Sequence, residues 1–131
     1  MITDPIADML TRIRNANQAL HESVSMPSSG MRREIARILD EEGYIEGYSI
    51  AKGDVFDTLT VTLKYSASRE RVISGVKRIS KPGRRMYKSV LEIVPVRYGK
   101  GSLILSTPAG VMTDKEAKTA KVGGEALFEI W

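Results

Sequence analysis

The sequence predicts an α+β fold of two small subdomains: an α/β N-terminal half with two helices on a small sheet (residues 1–66), and a mostly β C-terminal half with one short helix (residues 67–131). Three observations carry that prediction. Apolar residues recur at helical spacing near the N-terminus, strict alternation appears around residue 60, and composition and charge sign both change at Ser66-Ala67-Ser68. With 131 residues, 42% of them hydrophobic and 27% charged, the chain is long enough for one ordinary domain or two small ones.

The first helix is predicted from Ile6, Leu10, Ile13, Ala16 and Leu20, with Thr3 or Asp4 as its cap and Pro5 at an early helical position, where a missing N–H costs nothing. Its polar side carries Arg12, Arg14, Asn15 and Gln18; a solvated face accounts for them, and phosphate contact is the alternative. An extended piece over residues 23–26 leads to Pro27-Ser28-Ser29, whose serines are suited to cap a second helix lined by Met31, Ile35, Ile38 and Leu39. Gly43 supplies its stop. Asp40, Glu41 and Glu42 sit at the end of that helix where the dipole favours cations. Residues 44–50 and 58–64 read as strands, the second setting Leu59, Val61 and Leu63 against Thr58, Thr60 and Thr62.

In the second half, residues 72–80 and 84–87 flank Lys81-Pro82-Gly83, which predicts a hairpin with a basic tip and a type II turn. Gly99-Lys100-Gly101 forms a turn, residues 102–107 a strand, and Pro108-Ala109-Gly110 a second tight turn. Thr113-Asp114-Lys115-Glu116 has the spacing of a capping box, so a short helix runs to about Ala120. Gly123-Gly124 ends it, and residues 125–131 alternate as a closing strand.

The net charge of +4 is unevenly spread. Residues 69–100 carry +8, residues 1–68 carry −3 and residues 101–131 carry −1. The basic stretch is rich in arginine, whose planar fork matches phosphate, and is interleaved with Tyr87 and Tyr98, rings on which a base or ribose stacks. Apolar residues run between the charges, which places them on folded elements and gives a patterned nucleic-acid footprint.

Enzyme chemistry finds no support. Cysteine is absent, which excludes thiolate zinc sites, cysteine nucleophiles and disulfides. His21 is the sole histidine and has no partner for a triad or a metal site. Gly99-Lys100-Gly101-Ser102 is too short for a phosphate loop, and capping accounts for Asp114 and Glu116. No cofactor or metal is expected. No apolar run approaches the roughly 20 residues of a membrane span, and the N-terminus lacks the pattern of a secretory signal. The protein is therefore expected in the cytoplasm. Ser106 and Thr107, two hydroxyls at a strand end held by a Pro and Gly turn, are suited to base edges and ribose hydroxyls; an ordinary polar turn is the competing account.

Residues 3–16 (Thr-Asp-Pro-Ile-Ala-Asp-Met-Leu-Thr-Arg-Ile-Arg-Asn-Ala), residues 74–87 (Ser-Gly-Val-Lys-Arg-Ile-Ser-Lys-Pro-Gly-Arg-Arg-Met-Tyr), residues 106–118 and Gly123-Gly124-Glu125 resemble the family of bacterial small-subunit ribosomal protein eight. The resemblance runs end to end. It implies a structural constituent of the small (30S) ribosomal subunit that binds a stem of the 16S ribosomal RNA central domain directly and helps organise assembly. It also implies neighbouring small-subunit proteins as partners, a monomer outside the ribosome, and, in some members, repression of translation through an operon mRNA that mimics the ribosomal site.

Carried onto this chain, the family's Ser-Thr loop falls on Ser106 and Thr107, its aromatic on Tyr87, and its Gly-Gly-Glu on Gly123, Gly124 and Glu125. These would face irregular, unstacked bases, while Lys77, Arg78, Lys81, Arg84, Arg85 and Lys88 hold the RNA backbone; Arg12, Arg14 and Asn15 are secondary candidates. Two departures stand out. Pro108 replaces a second serine, removing a hydroxyl and a backbone donor, and residues 89–98 differ from the polar Leu-Pro segment of relatives.

Overall fold

The computed structural model describes residues 4–131. The chain divides into two compact units, residues 1–73 and 74–131. The first contains α1 (Pro5–Gln18), β1 (Ser23–Pro27), α2 (Gly30–Glu41), β2 (Ile45–Ala51) and β3 (Thr58–Leu63). The Asp4 carboxylate accepts from the Ala7 N–H at 3.1 Å and caps α1, with Pro5 following; Thr3, the other expected cap, lies outside the described residues. The Ser29 hydroxyl accepts from the Arg32 N–H at 3.2 Å and starts α2. Beyond the helix, Gly43 takes a φ of +82°, where a Cβ is disfavoured.

The strands form an antiparallel sheet in the order β1-β3-β2. Leu59, Val61 and Leu63 on one face of β3 are buried, as are Met9, Leu10 and Ile13 of α1 and Ile35, Ile38 and Leu39 of α2. Each such side chain contributes about 2 kcal/mol of apolar burial. At the rim of this core lies a buried cation: Arg32 donates to Asp8 at 2.8 Å and to the carbonyls of Pro5 and Pro27 at 3.0 and 3.1 Å. Asp8 also accepts from Arg12 at 2.9 Å, and Arg12 donates onward to the Ser25 carbonyl at 3.0 Å. One carboxylate thus ties α2 to α1. At the acidic end of α2, Arg37 bonds Glu34 and Glu41 at 2.7 and 3.0 Å, answering part of that charge.

The sequence places the compositional change at 66/67, whereas the units divide at 73/74. Residues between those points are tied back to the first unit: Arg71 donates to the carbonyls of Asn17 and Gln18 at 2.9 and 2.7 Å, and the Asn17 amide donates to the Ile73 carbonyl at 2.9 Å. His21 is exposed, and its carbonyl accepts from the Tyr65 hydroxyl at 2.6 Å.

The second unit contains β4 (Val76–Arg78), β5 (Tyr87–Lys88), β6 (Ser102–Thr107), β7 (Gly110–Thr113), α3 (Asp114–Ala120) and β8 (Gly124–Ile130). Its antiparallel sheet runs β4-β8-β6-β7, with β5 also on β8. The capping box forms as expected: the Thr113 hydroxyl accepts from the Glu116 N–H at 3.2 Å, and the Glu116 carboxylate accepts from the Thr113 N–H at 3.3 Å. Strand β7 has little signal in the sequence, because its four residues are squeezed between a turn and a cap. Ile93, Val96, Leu103, Leu105, Ala117 and Ala126 form a core on one face of this sheet.

The expected basic hairpin is corrected. Residues 76–78 pair with 128–130 of β8, and residues 87–88 pair with 124–125, both antiparallel, so the two arms lie in line along one edge of β8 instead of facing each other. Residues 81–84 bulge out between them, closed by the Lys81–Arg84 bridge. The turn is not type II either, since Gly83 lacks the positive φ that type requires. Residues 89–98 contain a 3-10 turn over Val90–Glu92, started where the Ser89 N–H donates to Glu92 at 2.9 Å, and enter a second short turn over Val96–Gly99 that is broken by a reversal at Arg97 and Tyr98, both at positive φ.

Replacing Arg32 by Met keeps the apolar stem but leaves Asp8 with Arg12 alone and removes the side-chain donor from the Pro5 and Pro27 carbonyls. Arg32→Met is expected to lower stability by about 3 kcal/mol, against less than about 0.5 kcal/mol for the exposed Arg33→Met, both read by urea denaturation.

Candidate nucleic-acid interface

Three of the expected site residues are brought into one row by strand register alone. Tyr87 of β5 pairs with Glu125 of β8, and Glu125 pairs with Ser106 of β6, so the three side chains share one face of the sheet. Tyr87 is 67% exposed, and Ser106 is half-buried with no hydrogen-bond partner for its hydroxyl among the described residues. The row therefore offers a free ring and a free hydroxyl, about two strand spacings apart.

Gly123 and Gly124 make this convergence possible. A Cβ on Gly124 would stand 2.2 Å from the Ser106 carbonyl oxygen, and one on Gly123 would stand 2.4 Å from that of Lys88. Neither position has room for a side chain. The role of both glycines in this structure is steric: they let the neighbouring strands close on β8.

Thr107 is occupied by its own turn. Its hydroxyl donates to the Gly110 carbonyl at 2.8 Å and accepts from the Ala109 N–H at 3.1 Å. Pro108 takes a corner of that turn, and the positive φ falls on Gly110, at 117°. The hydroxyl that remains free at the Ser-Thr pair is that of Ser106.

Glu125 is likewise engaged. Its Oε2 accepts from the Ser80 hydroxyl at 2.6 Å and from Arg85 at 2.9 Å. Burial pushes its pKa up, but the hydrogen bonds from Ser80 and Arg85, helped by the charges of Arg85 and Arg78, outweigh burial and hold it below the ordinary glutamate value. Ser80 completes the arrangement by accepting from the Met86 N–H at 3.1 Å. This fully buried serine was missed by sequence reasoning, because beside Lys81-Pro82-Gly83 it reads as the polar start of a turn. It joins the two ends of the basic bulge and so sets where Tyr87 begins.

The cations separate into two groups. Arg78 donates to the Leu127 carbonyl at 2.6 Å and Arg85 is bound to Glu125, so both are partly spent on structure. Lys77, Lys81 and Arg84 are exposed, and together with Arg78 they line a shallow hollow floored by Ile79 and Met86. Lys88 is half-buried, and its pairing with Gly124 puts its side chain on the opposite face from the Tyr87 row. In the other unit, Arg12 is held by Asp8 and the Ser25 carbonyl, while Arg14 and Asn15 are exposed on α1. Among the described residues no cluster of carboxylates and histidine is arranged to hold a metal ion, and no helix is long and apolar enough to cross a membrane.

A family model described as ribosomal protein S8 matches residues 4–131. The chain is similar to the small ribosomal subunit protein uS8 of Exiguobacterium sibiricum, 56% identical over all of this chain and 99% of that protein. It is also similar to the uS8 proteins of Spiroplasma kunkelii, 56% identical over the whole of both chains, and of Acholeplasma laidlawii, 51% identical over all of this chain and 99% of that one.

Gly124→Ala is expected to cost at least about 2 kcal/mol, seen as a lowered melting temperature, whereas Gly30→Ala, where nothing lies within 4 Å of the added Cβ, stays near the parent. Because the folded pKa of Glu125 is depressed, its contribution is present above the unfolded value of about 4.5 and is lost as pH falls from there through the folded pKa. Thermal denaturation over pH 3 to 6 is expected to show a shallower acid dependence for Glu125→Gln than for the parent chain.

Proposed function

The chain belongs to the ribosomal protein S8 family, whose members are structural proteins and not enzymes, and on that premise we propose that it acts in the cytoplasmic small ribosomal subunit by binding a stem of the central domain of 16S ribosomal RNA. The observation that carries this reading is the row Tyr87, Glu125, Ser106 beside a bulge bearing the exposed cations Lys81 and Arg84. Stacking on a ring and hydrogen bonding to a hydroxyl require bases splayed from a regular helix, so this arrangement favours an irregular stem over a plain duplex. The cations act on phosphates of any sequence and set affinity and register.

Glu125 serves in this reading as a positioning residue. It holds Arg85 and Ser80, and through them the start of β5, while its second oxygen remains available to a base amine. Gly123 and Gly124 contribute by keeping Tyr87 and Ser106 close. An operon messenger folded like the ribosomal stem would meet the same row, and binding it would repress translation of the chain's own operon. Neighbouring small-subunit proteins complete the set of partners.

The test is a gel-shift titration against the central-domain stem and a length-matched regular duplex at two salt concentrations. Preference for the stem is expected to persist at the higher salt. Tyr87→Ala is expected to weaken stem binding about tenfold with little change on the duplex, and Ser106→Ala is expected to act in the same direction. Arg84→Ala is expected to weaken both RNAs and to lower the slope of log affinity against log salt by about 1. Equal losses on the two RNAs for all three variants would overturn the division of labour.

A further inference from the structure

Leu105 and Ser106 are successive residues of β6, as are Glu125 and Ala126 of β8, so the row just described and the core of Leu105 and Ala126 lie on opposite faces of the sheet. The far face is covered by α3 and by residues 93–99. Arg97, Tyr98 and Gly99 are three consecutive residues at positive φ, 47°, 57° and 87°, a reversal that side chains other than glycine disfavour. The Arg97 guanidinium lies on the Trp131 ring, 3.8 Å from its centroid. The Tyr98 ring is completely exposed, and Val94 is 59% exposed.

Beside this reversal is a hollow floored by Ile93, Val94, Pro95 and Gly99 and bordered by Asp114, Lys115 and Lys118. Its one acidic residue, Asp114, is committed to structure. Asp114 is buried and accepts from the Leu103 N–H at 3.3 Å, and nearby Glu116 and Glu92 cap backbone. Lys115 and Lys118, one turn apart on α3, are exposed and have no carboxylate partner among the described residues. Tyr98 and Pro95 also line an adjoining hollow with Arg97. An apolar floor, a free aromatic ring and unpaired cations at the rim are what a single-stranded nucleic acid requires, since bases stack and phosphates take the charge.

We propose that this face is a second RNA contact, taking an unpaired nucleotide against Tyr98 and the Val94-Pro95 floor with its phosphates on Lys115 and Lys118. The protein then holds two RNA segments, one on the open face of the sheet and one on the layer of α3 and residues 93–99 that covers its other face. The proposal goes beyond stem binding and does not rest on it.

The experiment titrates labelled oligoadenylate into the full-length protein by fluorescence anisotropy, with and without saturating central-domain stem, while the emission of Trp131 is followed. Oligoadenylate is expected to bind the stem-loaded protein and to change Trp131 emission. Tyr98→Ala is expected to weaken that binding about tenfold, Tyr98→Phe to retain it, and a Lys115→Gln, Lys118→Gln double variant to flatten its salt dependence, all with stem affinity unchanged. Displacement of oligoadenylate by the stem, equal binding by Tyr98→Ala, or displacement by polyglutamate at matched charge would overturn the proposal. Oligoadenylate binding by a protein that fails to prefer the stem would leave this site standing and remove the other reading.

Discussion

The second unit depends on how closely β8 is gripped from both sides. Gly123 and Gly124 leave no room for a Cβ between the backbone of Lys88 on one flank and that of Ser106 on the other. Because β5 and β6 both pair with β8, this contact sets how closely the two strands that carry Tyr87 and Ser106 approach it. A side chain there would push β5 and β6 apart, and Tyr87 and Ser106 would no longer share a row. The constraint is steric and local, yet its consequence is a surface assembled from segments far apart in the chain.

Electrostatics is divided between holding the fold and facing outward. Some cations are spent internally: buried Arg32 on Asp8 and two carbonyls, half-buried Arg78 on the Leu127 carbonyl, and exposed Arg85 on Glu125. Exposed ones, Lys77, Lys81 and Arg84, surround the bulge with no carboxylate bound to them among the described residues. Charge counting along the sequence treats both kinds alike, and only the hydrogen bonds separate them. The same distinction applies to hydroxyls, for Thr107 closes its turn while Ser106 stays free.

The bulge at residues 81–84 shows how local signals misread non-local pairing. Lys81-Pro82-Gly83 does make a turn, and the Lys81–Arg84 bridge closes it. A turn between two extended arms normally predicts that the arms pair with each other. Here each arm finds β8 instead, a strand much further along the chain. Ser80, buried where the bulge begins, bonds both Glu125 and the Met86 backbone and keeps the excursion narrow.

The sequence by itself determined the helices, the strongly alternating strands, the caps and the α+β class, because capping, periodicity and backbone preferences act within a few residues of one another. The long motifs around residues 3–16, 74–87 and 106–125 also made the family legible, and with it the identity of the candidate side chains. Tertiary structure alone decided that β4 and β5 share one edge of β8, that residues 67–73 stay with the first unit through Arg71 and Asn17, and that Tyr87 and Ser106 flank Glu125. It alone also decided which of the arginines and hydroxyls remain free. Strand pairing and side-chain satisfaction depend on partners brought together only when the whole chain has closed, and no window of neighbouring residues contains them.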